Sequence, residues 1–302
     1  MNWSVVSQRD RSNVIPGTGN VLRGNALNQW LLLAQDVTRF SNISYSSDGI
    51  VWSKGTIPDT VSTDDQLWNA DYSPTQKKYL LIGTKSSSTG APILLSSTNG
   101  KIWREQLNNL LDQYLRNIYW NGTLNQWLTV GNFNILSSTD SGVSWNPALG
   151  VNLNEAYLRG IAWSSELGQY LVLGQNGNGQ ELLYRSNDGV NWTQQLFANF
   201  GYLRTAAYSP TKKLWVVVGF SGTILTSTDG AIWTRINWLS NQTNWDLWTV
   251  EWNQSLKLWI ASGGSSVSQY GGNILIYSAD GRNWSVSTNK QPYLTSSLAI
   301  KQ

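Results

Sequence analysis

The chain has 302 residues, 40% of them hydrophobic and 13% charged, with no cysteine and no histidine. That composition excludes thiolate nucleophiles, imidazole acid–base catalysis and the ligand sets that zinc and copper require, so no cofactor or metal is implied. A net charge of +3, from 21 basic and 18 acidic residues scattered along the chain, is too small and too mixed to suggest a nucleic-acid surface.

The amino terminus, MNWSVVSQRDRSN, has neither a basic region nor an apolar core, and no stretch approaches membrane-spanning length. The expectation is a soluble chain without signal peptide or membrane insertion, its compartment open between cytoplasm and a viral or cell surface. Asn-x-Ser/Thr triplets such as Asn121 and Asn283 fit a chain rich in Asn, Ser and Thr better than a glycosylated one.

From Gly19 onward the chain is a repeat. Each unit closes on a cassette: SSDGIVW (Ser46 to Trp52), STNGKIW (Ser97 to Trp103), STDSGVSW (Ser138 to Trp145), SNDGVNW (Ser186 to Trp192), STDGAIW (Ser227 to Trp233) and SADGRNW (Ser278 to Trp284). The cassette tryptophans are 51, 42, 47, 41 and 51 residues apart. That period, with short strand-like runs between turns, predicts an all-β propeller of four-stranded antiparallel blades in one domain spanning 1–302.

Within a unit, strand A resembles Asn117 to Trp120, strand B reads WLTVG or WVVVG, strand C reads NILSS or TILTS, and strand D begins at the cassette Trp. In five units a leading Leu stands twelve residues before an aromatic residue: Leu67 to Tyr79, Leu115 to Trp127, Leu158 to Tyr170, Leu203 to Trp215 and Leu247 to Trp259. The first unit fits without gaps from the other end, GNVLRGNALNQW on RNIYWNGTLNQW. Six complete units predict six blades. MNWSVVS resembles a strand D and YLTSSLA (Tyr293 to Ala299) a strand A, which keeps seven blades as the alternative. The two ends either close within the molecule or pair with a neighbouring chain, making a homo-oligomer through terminal strands.

The turn residues Asp48, Asn99, Asp140, Asp188, Asp229 and Asp280 precede a Gly that accepts positive φ, and their side chains can accept hydrogen bonds from the loop amides, so they are assigned to structure. The cassettes resemble the Asp-box (BNR) repeat family of the sialidase-like propeller superfamily, in a short-loop S-x-D-G-x-x-W variant. Only Ser138, Asp140, Gly142 and Trp145 match the full family spacing, and Asn99 replaces the Asp. The resemblance implies a propeller with the box at the C to D hairpin. It permits several activities, from sialidase-like enzymes to sorting receptors, an assembly factor and lectin-like modules.

Eighteen tryptophans are present. Fourteen occupy repeat positions that pack one blade on the next, leaving Trp68, Trp238, Trp245 and Trp248. Three of these fall in or beside the D to A connection Thr234 to Trp248, on the face expected to carry the long B to C loops Ala34 to Asn42, Gly83 to Pro92 and Gly263 to Asn273. The residue after the leading Leu is Trp68, Arg116, Arg159, Arg204 or Trp248. Equivalent positions are expected to ring the mouth of the central channel on that face.

Indole faces with nearby amides suit a sugar, and neighbouring arginines suit a carboxylate or phosphate. Structural pairing of the arginines with Glu155, Asp71 or Glu251 is the competing reading. The leading expectation is a non-catalytic binding module for a glycan or a protein. A structural or assembly protein joined through its ends is one alternative. A sialidase-type hydrolase is another, which the absence of the family's Arg-Ile-Pro entry motif and of an assignable Tyr-Glu pair speaks against.

Overall fold

The computed structural model describes residues 19–287 except 25–28, 36–40, 63, 87–89, 111–113, 196–199, 241 and 266–271. The terminal segments MNWSVVS and YLTSSLA lie outside the described residues, as do parts of the three long B to C loops. The chain divides into two compact units, Ser4–Pro147 and Ala148–Gln302.

The first unit holds three sheets. These are β1 (Gly19–Gly24), β2 (Gln29–Gln35), β3 (Ser41–Ser46) and β4 (Ser53–Lys54); β5 (Gln66–Ser73), β6 (Lys78–Thr84), β7 (Pro92–Ser97) and β8 (Arg104–Glu105); and β9 (Leu115–Asn121), β10 (Gln126–Gly131), β11 (Asn134–Ser138) and β12 (Asn146–Pro147). The second holds β13 (Tyr157–Ser164), β14 (Gln169–Gln175), β15 (Glu181–Ser186) and β16 (Thr193–Gln195); β17 (Leu203–Ser209), β18 (Leu214–Gly219), β19 (Ile224–Ser227) and β20 (Thr234–Arg235); and β21 (Trp245–Asn253), β22 (Leu258–Ser265), β23 (Asn273–Ser278) and β24 (Ser285–Val286). Every sheet is a four-stranded antiparallel meander in chain order, A to D. The fold is a six-bladed β-propeller, as the six complete repeats predict.

Strand B reads as an unbroken apolar run because blades cover it on both faces. Every residue of Leu214–Gly219 is buried, and its neighbours alternate: Val216 and Val218 pack with β21 to β23, while Trp215 and Val217 pack with β13 to β15. In the first unit, Leu81 faces Leu31 and Ile43 whereas Leu80 and Ile82 face Leu115 and Ile118. Each large side chain so buried contributes about 1.5–3 kcal/mol. The aromatic residue opening strand B stands directly opposite an aromatic residue of strand A in five blades, with ring centroids 4.5 to 5.1 Å apart. The two rings are seven residues apart in each of these blades, and the leading Leu lies five residues before the first, so the constant twelve-residue spacing contains the register of this cross-strand pair.

The cassettes build six equivalent hairpins. In each, the Ser hydroxyl donates to the Asp or Asn side chain at 2.8–3.1 Å and accepts the Gly N–H at 2.8–3.0 Å. The same Oδ1 takes two further amides of the turn, as Asp229 does from Ala231 and Ile232 at 2.8 and 2.9 Å. In five of the six, the Trp indole donates to the Gly carbonyl. Asn99 makes the same amide contacts, from Lys101 and Ile102 at 2.9 and 3.0 Å. An acceptor oxygen is what the turn needs, and a charge is optional.

Backbone of the cassette Trp also ties one blade to the next. Trp103 N donates to Thr56 O at 2.8 Å, and Trp192 N to Leu149 O at 2.9 Å. At the equivalent place before Trp145 a side chain takes over: Asn109 Oδ1 accepts Trp145 N at 2.8 Å while its Nδ2 donates to Trp145 O at 3.3 Å.

Candidate functional site

The five residues singled out after the leading Leu share a backbone feature that their sequence spacing does not reveal. Pairing of strands A and B slips by one residue at Trp68, Arg116, Arg159, Arg204 and Trp248, so each is the extra residue of a β-bulge. A bulge unpairs one residue and re-aims its side chain, which is why bulges gather near binding sites.

The partner that permits it is the glycine ending the buried run of strand B: Gly83, Gly131, Gly174, Gly219 or Gly263. A Cβ on any of them would overlap the carbonyl oxygen of the residue preceding the leading Leu, namely Gln66, Tyr114, Tyr157, Tyr202 or Asp246. Blade 1 provides the contrast. It has Ala34 at this place, and β1 pairs with β2 from Gly19↔Ala34 to Gly24↔Gln29 with no slip. The glycine that ends strand B in five units, and is Ala34 in the first, recurs in the sequence, but its meaning emerges only with the opposing carbonyl in place.

In the second unit the bulges of three successive blades lie side by side. Gly160, directly after Arg159, lets β17 approach: a Cβ there would overlap Arg204 O and stand 3.2 Å from Thr205 Cα. One blade further, Val250 N donates to Thr205 Oγ1 at 3.2 Å. Arg159, Arg204 and Trp248 therefore start three touching strands, each side chain half-buried. Arg204 and Trp248 form no hydrogen bond, ion pair or ring contact among the described residues.

In the first unit the equivalent pair has closed on itself, because the Arg116 guanidinium stacks 3.8 Å over the Trp68 ring and the Trp68 indole donates to Thr84 Oγ1 at 3.1 Å. Such a contact is worth about 0.5–2 kcal/mol. It leaves Trp68 with one face covered.

The tryptophans of the 234–248 connection separate into two kinds. Trp238 is 9% exposed, sits in the core cluster of the last two blades and donates its indole N–H to Gly222 O at 2.9 Å. It is a packing residue that pins the connection to the β18–β19 turn, a correction to its expected place on the ligand face. Trp245 is half-buried against the same cluster, with its carbonyl accepting Gly222 N at 2.5 Å. Trp248 is half-buried and is the tryptophan of this connection that stands at a bulge.

The carboxylates divide as sharply. Asp71 is a staple between blades, its Oδ2 accepting Trp120 N and its Oδ1 accepting Tyr72 N, both at 2.7 Å; burial nonetheless pushes it up to about 6. Glu251 keeps contact with water, yet enclosing protein pushes it up to about 7, and among the described residues it has no partner. The turn acids move the other way. Ser144 and Ser138 hold Asp140 down at about 2, whereas burial of Asp188 is outweighed by Asn191, Val190 and Ser186, again giving about 2.

A Tyr–Glu contact does exist, Tyr208 Oη to Glu166 Oε2 at 3.1 Å. Tyr208 stands four residues along β17 from Arg204, about 13 Å at strand rise, so it cannot share one small substrate with the bulge arginines. A separate shallow groove of about 450 Å³ is bordered by Ile57, Pro58 and Asp59 on one side and Ile102, Arg104 and Glu105 on the other. Among the described residues no group of three acidic residues is placed to hold a metal ion, and no helix is long and apolar enough to cross a membrane.

No protein-family model and no curated protein sequence matches the chain. Solved structures do. YCF48 from Cyanidioschyzon merolae superposes with a TM-score of 0.61 at 14% identity, covering 91% of this chain and 87% of that one. The BP39L lectin from Burkholderia pseudomallei gives 0.62 at 14% identity, over 87% and 81%, and a chain of the nidogen/laminin complex gives 0.52 at 10%, over 86% and 89%. At such identities the likeness establishes what the repeat, the six sheets and their order already require: this chain has the β-propeller fold.

Proposed function

We propose that the chain is a non-catalytic binding module that takes a glycan at the bulge edge of its second unit. The observation that carries the reading is the alignment of Arg159, Arg204 and Trp248 on three touching strands, with the Trp248 ring and the Arg204 guanidinium uncommitted to the fold. An indole gives the apolar face of a pyranose a platform, while a guanidinium reads hydroxyl and carboxylate oxygens in a fixed fork. A neighbour of the same fold is named a lectin, which agrees with this use of a propeller.

The test is a glycan-array screen of the wild type and Trp248→Ala, with light scattering on the same samples. Selective glycan binding that Trp248→Ala abolishes, with melting unchanged, is the expected result. Binding that survives the substitution moves the site elsewhere.

Protein docking is the second reading, drawn from the hairpin tips. Ile50, Val51 and Ile232 are 66%, 70% and 78% exposed, where a turn stabilised wholly by Asp and Ser has no need of aliphatic residues. Failure on the array together with self-association in solution would favour it.

A further inference from the structure

We infer that Asn178, at the tip of the β14–β15 loop, is a site of spontaneous covalent modification, where the chain converts its own asparagine to isoaspartate and aspartate through a cyclic imide. Asparagine followed by glycine is the pair that permits this, because glycine has no side chain to keep its amide nitrogen away from the preceding carboxamide. The chain has four such pairs, beginning at Asn99, Asn121, Asn176 and Asn178.

The structure holds all but the last shut. Asn99 Oδ1 accepts Lys101 N and Ile102 N at 2.9 and 3.0 Å, and the nitrogen that would attack it, Gly100 N, donates to Ser97 Oγ at 2.8 Å in a buried contact. Asn121 is 1% exposed, its Oδ1 taking Thr123 N and Leu124 N at 2.9 and 3.1 Å. Asn176 Oδ1 accepts Asn178 N at 3.0 Å and Gln180 N at 2.9 Å, while its Nδ2 donates to Gln180 Oε1 at 2.8 Å. The Glu155 carboxylate also lies 3.5 Å from where a Cβ on Gly177 would stand, and a negative charge there opposes deprotonation of the Gly177 amide.

Asn178 is exposed, and its side chain forms no hydrogen bond among the described residues. Nothing lies within 4 Å of where a Cβ on Gly179 would stand. The bond that must open is Gly179 N to Asn176 O, 3.0 Å long and at a loop tip where water competes for it. Hydroxide removes the Gly179 amide proton and the nitrogen attacks Asn178 Cγ. The new C–N bond forms as the Cγ–Nδ2 bond breaks, and ammonia leaves with a proton taken from water. Water then opens the imide at either carbonyl, giving isoaspartate, whose backbone runs through Cβ and Cγ, or aspartate. Either product places a negative charge on a neutral loop tip, at the end of the blade where Tyr157 pairs with Gln175 and the Arg159 bulge begins.

The experiment incubates folded wild type and Asn178→Gln at mildly alkaline pH, beside wild type unfolded in urea, and follows the one-dalton mass gain at each site. Fragment-ion mass spectrometry separates Asn176 from Asn178. In the folded protein Asn178 should convert about tenfold faster than the other sites, the factor that one net hydrogen bond to be released imposes on a rate. Labelling by an isoaspartyl methyltransferase should identify the product, and in urea the rates at the four sites should converge. Asn178→Gln should abolish the early conversion with the melting point unchanged, since Gln would have to close a larger ring.

Equal rates at Asn176 and Asn178 in the folded protein overturn the assignment, as does the same ranking of sites in folded and unfolded chains. Absence of conversion at Asn178 over the time in which the unfolded chain converts overturns it too.

Discussion

Replacing Gly219 by alanine tests the device on which the candidate site depends. The backbone at Gly219 is not left-handed, so the cost is not one of φ. The added Cβ would overlap Tyr202 O and lie 3.0 Å from its carbonyl carbon and 3.1 Å from Leu203 Cα, all rigid backbone. Tyr202 O also accepts Phe220 N at 2.9 Å, so opening the contact lengthens a buried hydrogen bond. Overpacking of about 1–3 kcal/mol plus about 1 kcal/mol for the weakened bond gives roughly 3 kcal/mol.

With an unfolding entropy near 2.1 cal/mol/K per residue, this corresponds to a fall of about 5 °C for 302 residues. Gly122→Ala is the matched control: it too lacks a positive φ, and its new Cβ would meet nothing nearer than the Trp120 indole nitrogen at 3.6 Å. That change should be neutral or stabilising by about 0.5 kcal/mol. Differential scanning fluorimetry on both variants decides the matter. Equal melting points for Gly219→Ala and Gly122→Ala would refute the claim that this glycine exists to admit the bulge.

Trp238→Ala should cost about 3–5 kcal/mol, as expected for a buried indole in a blade interface, while Trp248→Ala should leave the melting point nearly unchanged; thermal melts of the two proteins separate core from surface. Glu251→Gln should have no effect at pH 4, where the carboxyl is protonated folded or unfolded. It should become progressively stabilising as pH rises from about 4.5 to about 7 and level off above that, because the raised folded pKa makes the wild type lose stability across that window. A melting-point difference flat from pH 4 to 9 would contradict it. Asp229, held low by the amides of Ile232 and Ala231, contributes stability that is present above pH 4 and lost on further acidification. Asp229→Asn should therefore fold normally at pH 7, as the Asn99 turn does, and melt with a shallower acid limb than wild type when followed by circular dichroism.

The amino-acid sequence by itself determined the parts of this protein whose physics is local. Each cassette closes its own turn through hydrogen bonds spanning two to four residues, from Ser46 and Asp48 to Ser278 and Asp280, so the turn can be read without knowing what surrounds it. The twelve-residue Leu-to-aromatic spacing encodes strand register for the same reason, since an antiparallel pair joined by a short turn has no other way to align. Strand type and blade number followed from these two periodicities. The Gly-to-Ala change at Ala34 carried the bulge pattern as well, and it became legible only once the opposing carbonyls were located.

What the tertiary structure alone decided is the fate of chemically identical side chains. Trp238 and Trp248 are ten residues apart in one connection, but Gly222 O, sixteen residues before Trp238, draws that indole into the core, while Trp248 stands at the bulge, half-buried. Arg116 and Arg204 occupy equivalent positions, yet one is stacked on Trp68 and the other makes no hydrogen bond, ion pair or ring contact among the described residues. Asp71 and Glu251 share a register position and differ in whether a neighbouring amide reaches them. These outcomes depend on which groups from distant segments arrive first at a donor or a face, and a repeat sequence, by making its units alike, conceals that difference.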